Sequence, residues 1–150
     1  MTAAKELEKF LAKYEPAIVR QAKSNLAKLR KLLPGAIEMV YDNYNFLVIG
    51  FGPTEKPSLA IFSLALSPRH MSLCFLQGKG LPDPAKRLQG NGNLVRNIRL
   101  TTPRVLDEPE VLALIKTAKE RAKVSFDTKQ KRKLIIKSVS RKQRPRRPKT

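Results

Sequence analysis

Residues 58–76 constrain the fold most strongly, because they are typical of two apolar strands joined by a tight turn. SLAIFSLALS is nearly continuous in apolar residues, Ser67-Pro68-Arg69 is a turn sequence, and HMSLCFL follows directly. Strands separated by three residues pair naturally as an antiparallel hairpin. A chain with such a hairpin at its centre is expected to build an antiparallel sheet around it.

Further strands are predicted on both sides of this hairpin. Residues 36–52, AIEMVYDNYNFLVIGFG, indicate two short strands broken at Asp42-Asn43, with the second running from Tyr44 to Phe51. Residues 94–100, LVRNIRL, indicate another strand after a glycine-rich connection. The sequence therefore predicts a central sheet of four or five strands.

Helical periodicity occupies the sequence on either side of the strands. Apolar residues in 3–14 recur at three- and four-residue spacings, which predicts an amphipathic helix. A second helix is predicted over 16–33, begun by a proline and ended by Pro34-Gly35. A third is predicted from the acidic and proline residues at 107–110 to Val124. We therefore expect an α+β fold, with helices from both chain ends packed on an antiparallel sheet.

The charge of the chain is concentrated at its C-terminus. The whole chain has 31 basic and 12 acidic residues, a net charge of +19. Residues 129–150 hold eleven of the basic residues and no acidic one. We predict one domain over residues 1–124 and a basic tail over 125–150. The tail is expected to contain a short strand at 134–139, LIIKSV, and disorder beyond it.

This tail predicts association with nucleic acid or another polyanion. Uncompensated cations attract phosphates independently of base sequence, and such binding weakens with salt. Because the tail segment is almost free of aromatic residues, phosphate contact is expected rather than base stacking. The alternative is a solvated arm that adds solubility. The predicted polyanion-binding residues are Lys129, Lys131, Arg132, Lys133, Arg141, Lys142, Arg144, Arg146 and Arg147.

The connection at residues 77–93 suggests a second site. Its glycines permit close backbone approach to an anion, although an Asn-Gly turn is the simpler interpretation. Strand alternation places Arg96 on the same face as Ile98, so its guanidinium needs a carboxylate, carbonyl groups or a ligand. Asp83 or Glu38 would serve internally, and an anionic ligand is the alternative. The ligand-pocket candidates are Lys79, Gly90, Gly92, Arg96 and Arg99.

The sequence contains no catalytic motif, so we predict a small binding or scaffold domain that is not an enzyme and uses no cofactor. One histidine and one cysteine do not make a typical zinc site, so no metal site is predicted. The apolar runs are too short to span a membrane, which predicts that the protein has no membrane partner. The single cysteine and the absence of a secretory signal favour the cytoplasm. The oligomeric state stays open.

A spaced pattern in the connection, L-x-G-x-G-x-x-x-R-x-I-x-L, begins at Leu88 and ends at Leu100. With the preceding strand pair it resembles the YdhG-like family (domain of unknown function eighteen-oh-one) over residues 14–124. The resemblance implies a compact α+β fold. Some members look frataxin-like and are linked to iron handling, which is an alternative function, although that chemistry uses acidic surface and residues 1–128 are net basic. Asn93 stands where many members carry lysine, which weakens a phosphate-binding role for the loop.

Overall fold

The computed structural model describes residues 1–148, so Lys149, the last of the eleven C-terminal cations, lies outside the described residues. Its centre is one six-stranded sheet in the order β5-β4-β3-β2-β1-β6. The strands are β1 (Ile37–Asp42), β2 (Leu47–Gly52), β3 (Phe62–Leu66), β4 (Met71–Phe75), β5 (Arg96–Arg99) and β6 (Lys133–Val139). The helices are α1 (Ala3–Leu11), α2 (Pro16–Leu32) and α3 (Pro109–Arg121). The predicted α+β class is confirmed, with one strand more than the largest number expected.

Strands β1 to β5 form an antiparallel meander that contains the predicted central hairpin. In that hairpin Leu66 of β3 pairs with Met71 of β4. β3 begins four residues later than predicted, because Pro57–Leu59 forms a turn of 3-10 helix instead of extended chain. β2 likewise begins at Leu47 rather than at Tyr44, because the amide of Asn43 donates to the carbonyl oxygen of Phe46 and closes a turn.

The strand predicted at 134–139 is present as β6, and it belongs to the same sheet as the rest of the chain. It is the outer strand beside β1 and runs parallel to it, with Ile136 opposite Val40. A register shift after that pair leaves Lys137 without a partner residue on β1. The basic C-terminal region is therefore hydrogen-bonded to the body of the protein.

One face of the sheet carries the core. Strand residues such as Val40, Ile49 and Leu64 are buried in the same apolar cluster as Leu11 of α1 and Leu29 of α2. The amphipathic stripes predicted for the helices are therefore the surfaces that cover the sheet. Of the helices within residues 1–148, none has the length and apolar content that a bilayer span requires.

The connections of the sheet divide between two ends. In an antiparallel meander alternate turns share an end, so turns 43–46 and 67–70 lie together, and we call this the hairpin end. Connections 53–61 and 76–95 lie at the opposite end. Because β6 is parallel to β1, the residues after Val139 also emerge at the hairpin end.

The contact between the turn after α2 and the segment before β6 predicts a sensitive position at Gly35. Gly35 has a φ angle of +80°, and a Cβ atom there would overlap the carbonyl oxygen of Asp127. Left-handed backbone alone costs a residue with a side chain about 1 to 2 kcal/mol. We expect Gly35→Ala to lower the free energy of unfolding by at least that amount in urea titration.

Gly92→Ala is the matched control for this substitution, because a Cβ atom at Gly92 meets nothing within 4 Å. Its free energy of unfolding should stay close to that of the unmodified protein. Equal stability of the two variants would contradict the close contact between residues 35 and 127.

A candidate polyanion-binding surface

A buried ion pair anchors the C-terminal region to β1. Asp42 and Arg146 are 0% and 4% exposed, and Arg146 Nη2 donates to Asp42 Oδ1 at 2.9 Å. Lys13 Nζ donates to the other carboxylate oxygen at 2.8 Å, and Gln143 donates to the backbone carbonyl of Asp42. Burial raises the pKa of Asp42, but the hydrogen bonds that Lys13 and Arg146 donate to its carboxylate outweigh burial and hold that pKa below its ordinary value of 3.8.

A second buried carboxylate anchors the start of β6. Glu38 lies four residues before Asp42, so the two side chains are on the same face of β1, and Glu38 is also 0% exposed. Arg30 of α2 binds it with Nε and Nη2, each at 2.9 Å, in a two-pronged contact. Arg132 Nη1 donates to it at 3.3 Å. Residues on both sides of β6 are therefore fixed by carboxylates of β1.

The nine residues predicted to bind polyanions divide into two groups. Four lie against carboxylates: Arg132 with Glu38, Lys133 with Glu55, Arg146 with Asp42, and Arg147 with Glu15 at 3.9 Å. The other five form no ion pair with a carboxylate within residues 1–148: Lys129, Lys131, Arg141, Lys142 and Arg144. Arg132 and Arg146 are therefore held by buried carboxylates. Lys133 and Arg147 pair with carboxylates that are about half exposed, so these two residues and the second group are available to a ligand.

The C-terminal region meets the two turns of the hairpin end. The Arg144 amide donates to the Tyr44 carbonyl at 2.8 Å, and Arg146 donates to the carbonyls of Asn43 and Tyr44. A cavity of about 420 Å³ lies between these segments. Its lining residues are Asn45, Phe46, Ser67, Pro68, Arg69, His70, Arg144, Pro145, Arg147 and Pro148, none of them acidic.

We define the hairpin surface as Tyr44, Phe46, Arg69, Arg144 and Arg147. Sequence reasoning missed its first three members, because it assigned Tyr44 and Phe46 to a strand and Arg69 to a turn. The order of the predicted strands contained a usable signal, because an antiparallel meander places its first and third turns at the same end of the sheet. The parallel pairing of β6 had no comparable local signal.

Arg96 has partners within its own loop. Its Nη1 donates to the carbonyl oxygens of Gly92 at 2.7 Å and Val95 at 2.8 Å. Neither suggested carboxylate reaches it: Asp83 accepts the backbone amides of residues 87 and 88, and Glu38 binds arginines elsewhere. The sequence predicts that a carboxylate, carbonyl groups or a ligand binds this guanidinium. In the structure, carbonyl groups bind it.

The other ligand-pocket candidates are dispersed. Lys79 lines a cavity of about 370 Å³ at the opposite end of the sheet, together with Arg121 and Lys123. Gly90, Gly92, Arg96 and Arg99 are not among its lining residues. Gly90 has a φ angle of +110°, which favours glycine whether or not an anion binds. The structure therefore does not join the five candidates into one pocket.

Within residues 1–148, the histidine, the cysteine and the carboxylates do not form a metal-binding cluster. No three histidine, cysteine, aspartate or glutamate side chains come together there in a way that could hold a metal ion. His70 Nδ1 lies 2.7 Å from the hydroxyl of Ser67 in the turn. Burial raises the pKa of the Cys74 thiol, which disfavours the reactive thiolate.

Comparison of the chain with protein-family models, curated proteins and solved structures gave no match. The resemblance of residues 14–124 to the YdhG-like family therefore stays a prediction.

The burial of the Arg146–Asp42 pair predicts a large effect of removing one partner. Loss of one member of a buried ion pair costs about 3 to 5 kcal/mol, and the Lys13 contact places the expected cost at the lower end, about 3 kcal/mol. Arg146→Ala should lower the urea midpoint accordingly. Arg141→Ala, which removes an exposed guanidinium from the same region, should leave it unchanged. Equal midpoints for the two variants would show that the pair does not hold the C-terminal region.

The lowered pKa of Asp42 predicts a loss of stability in acid. A carboxyl group whose pKa is lower in the folded than in the unfolded protein stabilises the fold above its unfolded pKa. That stabilisation is lost as the pH falls from about 3.8 through the folded pKa. Asp42→Asn should therefore lose less stability on acidification than the unmodified protein, measured as the change in urea midpoint. The exposed carboxylate variant Glu120→Gln should follow the unmodified protein.

Proposed function

We propose that the protein binds nucleic acid as a polyanion, and that the hairpin end is its main contact. The observation that carries this proposal is the convergence of cations from separate parts of the sequence. Arg69 comes from the β3–β4 turn, and Arg144 and Arg147 come from the segment after β6. They line one cavity with no acidic neighbour in its lining. Arg141 and Lys142 extend the same charge along the segment.

The order of this region supports the proposal in energetic terms. A tail free in solution loses conformational entropy when it binds. Here Arg146 is already buried against Asp42, so Arg144 and Arg147 on either side of it have a fixed backbone course before any ligand arrives. Pre-ordered cations lose less entropy on binding phosphate than cations on a free tail.

The alternative of a pocket for a small anion around Arg96 has less support. Arg96 already contacts two carbonyl oxygens, and the cavity that Lys79 lines includes none of the other four candidates. We therefore prefer nucleic acid as the partner. The single cysteine favours a reducing compartment such as the cytoplasm as the place of action.

A charge-removal variant tests this function. Replacing Arg141, Lys142, Arg144 and Arg147 together by glutamine removes four cations from the hairpin end and keeps β6 with both of its anchors. The plot of log affinity against log salt loses about 0.7 to 0.9 of slope for each phosphate contact removed. We expect the slope to become shallower by up to about 3.6, and binding at low salt to fall sharply. Fluorescence anisotropy with a labelled oligonucleotide measures both quantities.

The matched control removes the same charge elsewhere, by replacing the exposed lysines Lys31, Lys56, Lys86 and Lys116 with glutamine. This variant should keep most of the affinity. Equal weakening by both variants would mean that net charge alone attracts the nucleic acid. Substitution is preferred to deletion of residues 129–150, because deletion would also remove β6 and a cationic partner from each of Glu38 and Asp42.

A further inference from the structure

Two aromatic rings stand exposed on the hairpin surface. Tyr44 is 49% exposed and Phe46 is 46% exposed. Every other aromatic residue of the chain lies within residues 1–148 and is buried or half-buried. Both rings belong to the turn 43–46, which is closed by a backbone hydrogen bond from Asn43 to Phe46. Neither ring contributes to the core, so folding alone does not account for their position.

Arginine side chains lie near both rings. The Arg144 guanidinium lies over the Tyr44 ring, with its carbon 5.6 Å from the ring centroid. Phe46 lines the same cavity as Arg69, Arg144 and Arg147, with three proline rings among the other lining residues. The surface thus combines flat apolar rings, on which a base can stack, with guanidinium groups that bind phosphate.

This combination distinguishes between forms of nucleic acid. The bases of a duplex are stacked on one another, so a duplex offers a protein surface of this kind its phosphates alone. An unpaired strand offers phosphates and also free base faces, and stacking on an aromatic side chain adds affinity with little dependence on base identity. A surface with aromatic rings beside arginines is therefore expected to bind a single strand more tightly than a duplex.

We propose that the hairpin surface binds single-stranded nucleic acid, with one base stacked on Phe46 and a neighbouring base on the Tyr44–Arg144 pair. This inference rests on the proposed function and narrows its partner to unpaired strands. Arg69 and Arg147 contact the phosphates between or beside the stacked bases. The tail sequence by itself indicated phosphate contact without stacking, and the fold supplies the missing rings from the β1–β2 turn.

The first experiment removes the rings and leaves the charge. Anisotropy is measured with an oligothymidine of about 12 nucleotides, within the site sizes of single-strand binding proteins, and with a duplex of equal length. The double variant Tyr44→Ala, Phe46→Ala should bind the single strand about tenfold or more weakly and the duplex with unchanged affinity. The control Leu94→Ala, Val95→Ala removes two exposed apolar side chains from the β4–β5 connection, at 51% and 43% exposure, and should bind both probes normally.

The outcomes test nucleic-acid binding and base stacking separately. If the unmodified protein binds neither probe, the proposed function itself is wrong. If it binds both probes and the ring variant binds as the unmodified protein does, nucleic-acid binding stands and the stacking inference is overturned. If polyglutamate competes as well as oligothymidine and its binding also depends on the rings, the surface recognises acidic peptides and the inference is overturned.

A second experiment detects stacking directly. The chain has no tryptophan, so Phe46→Trp places a single reporter in the cavity. Oligothymidine should quench its fluorescence and should bind with affinity close to that of the unmodified protein. Duplex and inorganic polyphosphate should leave the fluorescence nearly unchanged. Quenching by polyphosphate equal to that by oligothymidine would show that charge alone perturbs the site, which would overturn base stacking.

Discussion

The structure depends on two carboxylates that are buried on one strand. Glu38 and Asp42 lie on the core-facing side of β1, and neither is exposed. A buried carboxylate is tolerable only when cations compensate it, because the loss of hydration is far larger than any single hydrogen bond. The chain meets this requirement with Arg30 and Lys13 from the N-terminal helical region and with Arg132 and Arg146 from the C-terminal region. The first helices, the first strand and the last strand are thereby held in one arrangement.

The direction of β6 follows from the same contacts and decides where the basic residues go. Arg132 precedes β6 and binds Glu38 near the start of β1, whereas Arg146 follows β6 and binds Asp42 at the end of β1. Only a strand parallel to β1 satisfies both contacts. An antiparallel β6 would deliver the residues after Val139 to the opposite end of the sheet, far from the turns that carry the exposed rings. The parallel pairing therefore places Arg144 beside Tyr44.

Local patterns were sufficient to predict the helices and the central hairpin, because periodicity and turn residues act over a few positions. The stripe in residues 3–14 and the short turn at 67–70 needed no information from elsewhere in the chain. The strand at 134–139 was also visible, but its partner was not, because pairing with β1 spans about a hundred residues. The site depends on that pairing. Its rings and arginines are separated in sequence, and neither Phe46 nor Arg144 indicates a surface until the fold brings them together.

Order and charge at the hairpin end are coupled through Asp42. Its pairs with Arg146 and Lys13 neutralise a carboxylate that would otherwise repel a polyanion, and they fix the backbone on both sides of Arg146. The two effects cannot be varied separately, since an uncharged residue at position 42 would also leave Arg146 buried without its counter-ion. Salt screens the repulsion between exposed cations, whereas it screens the attraction within a buried ion pair much less. The chain has a net charge of +19, yet its most basic segment stays in place. The repulsion between its exposed cations is weakened by solvent and salt, whereas the attraction between Arg146 and Asp42 acts inside the fold.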